Sequence, residues 1–170
     1  MELRILGAVL VFGGCGSVGF LIAAGYRLEE RTLRQLLSAL DFMQCELQYR
    51  LTPLPELCRK VGAAAEGYVR AFFLSLAIAL EDQIRPDVER CVSHGLAEVP
   101  KMPALSAEVI KQLGVSLGRF DLNGQIRGLE AARTSCRSSL ERLTKDKSLR
   151  LRSYQTLGLC TGAALAILFI

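Results

Sequence analysis

The sequence predicts an all-α chain: a helical bundle of about six helices flanked by an N-terminal and a C-terminal transmembrane helix. Three observations predict it. First, Ile5 to Tyr26 is a run of 22 residues without a formal charge, and Ser153 to Ile170 is a second run of 18. About 20 apolar residues suffice to cross a bilayer as a helix. Second, between these runs apolar residues recur at three- and four-residue spacing with charges between them, the pattern of amphipathic helices. Third, no segment alternates polar and apolar residues as a half-buried strand does. The ends carry the excess apolar content, since Arg27 to Arg152 holds 20 basic and 16 acidic residues. The expected organisation is therefore 1–26 as tail and membrane helix, 27–152 as bundle, and 153–170 as second membrane helix.

The elements follow in order. The first membrane helix ends in Tyr26-Arg27, an aromatic beside a cation, as at a membrane interface. No Pro or Gly interrupts Tyr26 to Leu51, so that helix is expected to continue into the bundle. Leu33, Leu36, Leu37, Leu40, Phe42, Met43 and Leu47 form its apolar stripe. Thr52-Pro53-Leu54-Pro55-Glu56 reads as a helix start, with Thr52 capping, Pro53 at the first position and Glu56 in the first turn. That helix is expected to stop near Gly62. The next spans Tyr68 to Glu81, with Val69, Phe72, Phe73, Leu76 and Leu80 on one face. Pro86-Asp87 opens a short helix through Val88, Cys91 and Val92, ending at His94-Gly95. After an irregular stretch with Pro100 and Pro103, Ser106 is expected to cap a helix carrying Val109, Ile110, Leu113 and Leu117, ending near Gly118. Asp121 is placed to cap a long last helix with Ile126, Leu129, Cys136, Leu140 and Leu143.

Orientation follows from the bias of Lys and Arg towards the cytoplasmic side. Arg4 alone precedes the first apolar run; Arg27, Arg31 and Arg34 follow it, and Lys145, Lys147, Arg150 and Arg152 precede the second. The middle is thus expected in the cytoplasm. A signal peptide is the competing reading of the N-terminus, and Phe12-Gly13-Gly14-Cys15 loosely resembles a lipoprotein-processing site. The apolar run continues eleven residues beyond Cys15, which an uncleaved anchor needs and a cleaved signal does not.

Composition and spacing argue against several function classes. The net charge is +4, with acids and bases interleaved, so no clustered basic face for nucleic acid is indicated. The six cysteines show no CxxC pair, and the sequence indicates neither a disulfide framework nor a metal site. No cofactor is implied. Cys91 and His94 stand three apart and could form a nucleophile–base pair, the basis of a rival reading as a membrane-tethered hydrolase. They sit at an expected helix end with no orienting acid. Gly114-Val115-Ser116-Leu117-Gly118 lies in a helix and out of frame for a nucleophile elbow. No phosphate-binding Gly-Lys-Ser/Thr loop occurs. Glu29-Glu30 and Glu81-Asp82 are adjacent, so each pair diverges on its helix. The glycines of the apolar runs, Gly7 and Gly19 in the first and Gly158 and Gly162 in the last, are candidates for close packing between membrane helices.

The order of several short signatures resembles the stage III sporulation protein AB family. These are Leu6-Gly7-Ala8, Gly19-Phe20, Arg34-Gln35-Leu36, Ala39-Leu40, Glu46-Leu47 with Tyr49, Thr52-Pro53-Leu54, Leu113-Gly114, Leu117-Gly118, Asp121, Gln125 and Leu157-Gly158. Two departures stand out: Gln44 where the resemblance leads one to expect an acid, and Arg50-Leu51 before Thr52. The resemblance implies a compact bundle without catalytic residues, similar to the cytoplasmic domains of platform proteins in type II secretion and type IV pilus machines. It implies a scaffold in the mother-cell-side membrane around the forespore. Its implied partners are the other stage III A channel proteins, among them a cytoplasmic ATPase, and membrane lipid, with no nucleic acid and no small-molecule substrate. A generic secretion or pilus platform is the runner-up. Arg34, Gln35, Thr52, Pro53, Leu54, Gly118, Asp121 and Gln125 are the implied family positions.

Overall fold

A computed structural model describes residues 2–50, 52–82, 87–117 and 123–145, with backbone alone for 2–23. The described residues form six helices and no strand: α1 (Glu2–Tyr49), α2 (Leu54–Ala64), α3 (Gly67–Glu81), α4 (Val88–Ala97) and α5 (Ala104–Ser116), then α6 over 123–145. As expected, one unbroken helix carries both the N-terminal charge-free run and the first stripe of the bundle. At 1.5 Å per residue it is about 70 Å long.

Cross-contacts fix the direction of each helix. Arg31 pairs with Glu66 near the start of the α1 stripe, and Lys60 with Glu46 near its end, so α2 runs antiparallel to α1. The Cys91 thiol reaches the Ala79 carbonyl while Gly95 lies against Phe72, which reverses α4 relative to α3. Gly114 meets Val92, and Gly128 meets Ser116, carrying the alternation through α5 and α6. Cys136 Sγ donates to the Leu33 carbonyl at 3.3 Å, and Gln44 Nε2 to Glu130 at 3.3 Å; α6 therefore runs back along α1. Odd helices point one way and even helices the other. One end of the bundle, the near end, holds Tyr26 to Arg31, the α2–α3 and α4–α5 junctions and the last turn of α6. The far end holds Tyr49 and the start of α2.

The core is one cluster built by all six helices. From α1 it takes Leu33, Leu36, Leu40, Met43 and Leu47, alternating by three and four residues as a helix seam must. Leu37 is half-buried and Phe42 is 38% exposed, one residue off the seam, so the expected stripe was too wide. Phe72 and Phe73 sit edge to face at the centre, 5.1 Å apart. Leu57, Val61, Val92, Ile110, Leu113, Leu129 and Cys136 are buried in the same cluster.

Several expected helix limits are corrected. Gly62 and Gly95 lie inside α2 and α4 rather than ending them. Both are buried where helices touch: a Cβ on Gly62 would stand 2.8 Å from Leu74 Cδ2, and one on Gly95 3.3 Å from Phe72 Cε2. The break comes at Gly67, whose φ of +56° opens α3, a conformation that favours glycine. Asp87 caps α4, accepting from Glu89 N at 3.4 Å. Thr52 and Ser106 cap nothing; Pro53 and Pro103 occupy the N-cap positions without a side-chain bond.

Among the residues whose side chains are described, no helix is long and apolar enough to cross a membrane. The expected C-terminal span at 153–170, with Gly158 and Gly162, lies outside the described residues, as do Gly118 and Asp121. The side chains of 2–23, at the expected packing positions Gly7 and Gly19, lie outside them too.

Candidate functional site

A polar cluster forms the elbow between α1 and α2 at the far end. Glu46 is only 9% exposed, because the seam turns its flank inward as α1 ends. Its carboxylate needs donors, and the turn supplies them: Thr52 Oγ1 donates to Glu46 Oε2 at 3.0 Å and Lys60 Nζ at 3.4 Å. Arg50 stands 3.7 Å from the other oxygen. The Thr52 hydroxyl, then the Lys60 charge, hold the Glu46 carboxyl below its ordinary value against the opposing effect of burial. Lys60 is held above its ordinary value, first by its bond to Glu56 and then by Glu46. Thr52 is thus a buried tie between helices, and Pro53 and Leu54 follow it into α2. The tie leaves Tyr49 81% exposed at the tip.

Among the described residues, the other family positions do not join this elbow. Arg34 is exposed and pairs with Glu30 at 2.9 Å, one turn away. Gln35 is half-buried, its Oε1 beside Gly67. It borders a groove with Ala39, Phe42, Val61 and Ala65. Eleven residues of helix, about 16 Å, separate Gln35 from Glu46. Gln125 lies half-buried on α6. These residues hold separate helix contacts rather than one constellation.

Gln44, the departure from the resemblance, has a physical reason. It accepts from Arg133 Nη1 at 2.6 Å and donates to Glu130 at 3.3 Å, and Asp41 pairs with Arg133. An amide serves both partners, whereas a carboxylate would face Glu130 with like charge. Sequence reasoning also missed Glu29. Its Oε1 accepts from the backbone N of Leu105 at 3.1 Å, the N of Ser106 at 3.2 Å and the Ser106 hydroxyl at 3.4 Å. A side chain 76 residues away thus satisfies the open amides of α5. No local spacing signals such a bond.

The arrangement offers little for covalent chemistry. Cys91 is 1% exposed, closed to a substrate. His94 Nδ1 is buried without a hydrogen-bond partner among the described residues. Burial pushes the Cys58 thiol up to about 12 and, with Asp41 adding to it, Cys136 to about 11. Neither forms the reactive thiolate at neutral pH. Among the described residues no group of three or more His, Cys, Asp or Glu could hold a metal ion. Of Cys45, Cys58, Cys91 and Cys136, Cys45 alone is exposed.

Comparison with known proteins shows the family through one match and likeness of sequence and fold through two more. Residues 4–170 match the model of a family described as Stage III sporulation protein AB. The Stage III sporulation protein AB of Bacillus subtilis (strain 168) is 26% identical over 171 residues, covering 99% of each chain. A solved structure of Stage III sporulation protein AB shares the fold at a TM-score of 0.64 and 23% identity. That match covers 72% of this chain and 98% of the solved one.

Proposed function

Because this chain belongs to the stage III sporulation protein AB family, we propose that it is a membrane-anchored platform of the sporulation channel between mother cell and forespore. Its apolar runs hold it in the mother-cell-side membrane, and its bundle stands in the cytoplasm, where it receives a secretion-type ATPase. It works by binding rather than by catalysis. Family membership favours this reading over a generic secretion or pilus platform. The observation that carries it is topological. α6 returns along α1 and ends level with the turn that holds Tyr26. The first charge-free run ends at Tyr26, and the second begins eight residues after position 145. Tyr26 and position 145, from which the chain continues towards the two runs, therefore lie at the same end of the bundle, an arrangement that supports two anchors in one membrane, and Lys and Arg flank both runs on the bundle side in the sequence.

Cys45 supplies the test. It is exposed on α1 within the bundle, so a membrane-impermeant maleimide reports which side the bundle occupies. In sporulating cells carrying a variant with Cys15 and Cys160 replaced by Ser, labelling should require permeabilisation of the mother cell. A photo-crosslinker at exposed Tyr49 should then capture the ATPase. Labelling of Cys45 in intact cells would refute the topology, and crosslinks that never include an ATPase would refute the platform role.

A further inference from the structure

We propose that the near end of the bundle is itself a lipid-contact surface, with Leu28 and Leu105 entering the headgroup boundary and Arg27, Lys101 and Arg142 meeting lipid phosphates. The inference rests on the membrane-anchored reading above and adds where the folded domain touches the bilayer.

Leu28 and Leu105 are 42% and 38% exposed. A lone exposed leucine needs no explanation. These two lie at the same end of the bundle, because Glu29, next to Leu28, accepts from the backbone N of Leu105 at 3.1 Å. The pair stands where the charge-free run ends: Leu28 is two residues beyond Tyr26, about 3 Å along the helix axis. A leucine so close to a membrane span meets the interfacial layer rather than bulk water.

The charges at this end fit the same occupant. Glu29 is committed to the α5 amides, Glu30 pairs with Arg34, and Glu66 pairs with Arg31. Arg27, Lys101 and Arg142 are exposed there, beside the exposed acids Glu98 and Glu141. Long cationic side chains can lay their stems along apolar surface and carry the charge to a phosphate. Anionic headgroups attract such residues near a membrane. Continuity with the first apolar run favours lipid over a protein partner on this face. The consequence is a bundle seated on the bilayer through the α4–α5 junction as well as its anchors, with Tyr49 directed away from the membrane.

The test uses the full chain with Cys15, Cys45 and Cys160 replaced by Ser, reconstituted in vesicles of phosphatidylglycerol and phosphatidylcholine. Leu105→Cys, Lys101→Cys and Ile78→Cys each receive a polarity-sensitive fluorophore; Ile78 is 56% exposed on α3 towards the far end. Nitroxide on the lipid should remove most of the emission at 105 and 101 and little at 78, and iodide in the water should do the reverse. Probes at 105 and 101 that behave like the one at 78 would overturn the lipid surface, and so would probes shielded from iodide but untouched by nitroxide. The position 101 probe answers the question if the change at 105 disturbs folding. An alkaline wash separates the two readings. Chain retained in the pellet with water-exposed probes sinks the lipid surface alone; chain released by the wash sinks the anchors, and the lipid surface with them.

Discussion

The Thr52 hydroxyl illustrates what one side chain decides. It donates to a carboxylate that the seam of α1 has turned inward, and the folded-state carboxyl is thereby held below its ordinary 4.5. Such a group adds stability at pH values above 4.5 and loses it as pH falls through the folded-state value. Thr52→Val should therefore lower the denaturation midpoint at pH 7. The gap to the parent should narrow steadily below about pH 4.5, while Thr52→Ser should retain most of the parent's profile. A gap that stays constant down to acid pH would mean the hydroxyl acts through packing. The cysteines give a second expectation. With Cys15 and Cys160 replaced by Ser, a thiol reagent on the native protein should modify Cys45 at once. Cys58, Cys91 and Cys136 should react only at the rate of opening of the fold, as peptide mapping by mass spectrometry would report.

At the scale of a helix, glycine matters most for how closely neighbours approach. A Cβ on Gly114 would stand 2.9 Å from Val92 Cγ1 and 3.0 Å from Val92 Cβ. Valine is stiff at this torsion, so α4 and α5 would have to part. Gly114→Ala gains about 1 kcal/mol in helix propensity but should lose about 1–3 kcal/mol to overpacking, for a net destabilisation measured by urea melting. In a Val92→Ala background the same change should cost less, and an unchanged cost would show that the two residues do not meet. These contacts explain why helix ends were the least legible feature. Gly62 and Gly95 look like stops in one dimension and are contact points in three. Ser106 looks like a cap, yet its partner is Glu29, far upstream.

For the molecule as a whole, the sequence carried the helical class, the continuity of α1 and the main core residues, because three-four spacing is written locally. Phe42 fell outside the core because the seam is narrower than the apolar pattern. The elbow was half legible. Thr52-Pro53-Leu54 marked the place, but the burial of Glu46 depends on how α2 packs back against α1. Since the core formed by the described residues runs from Tyr26 to Leu143, a fragment from Ala24 to Arg150 should fold alone. It should unfold cooperatively with about 5–15 kcal/mol of stability, as small domains do. The solved relative, which matches 72% of this chain over nearly its whole length, is consistent with such a unit. A fragment ending before residue 123 should show no cooperative transition by circular dichroism, because it lacks Leu129, Ala132 and Cys136 over the α1 seam.

The strict alternation of direction has a consequence of parity. An even number of antiparallel helices returns the chain to the end from which it set out; an odd number would leave it at the opposite end. One added or deleted helix would send the second apolar run away from the first, whatever its effect on the core. Length variation in this architecture is therefore quantised. Viable relatives should gain or lose helices as hairpin pairs, or change the lengths of the connections, and a lone extra helix should be absent from the lineage.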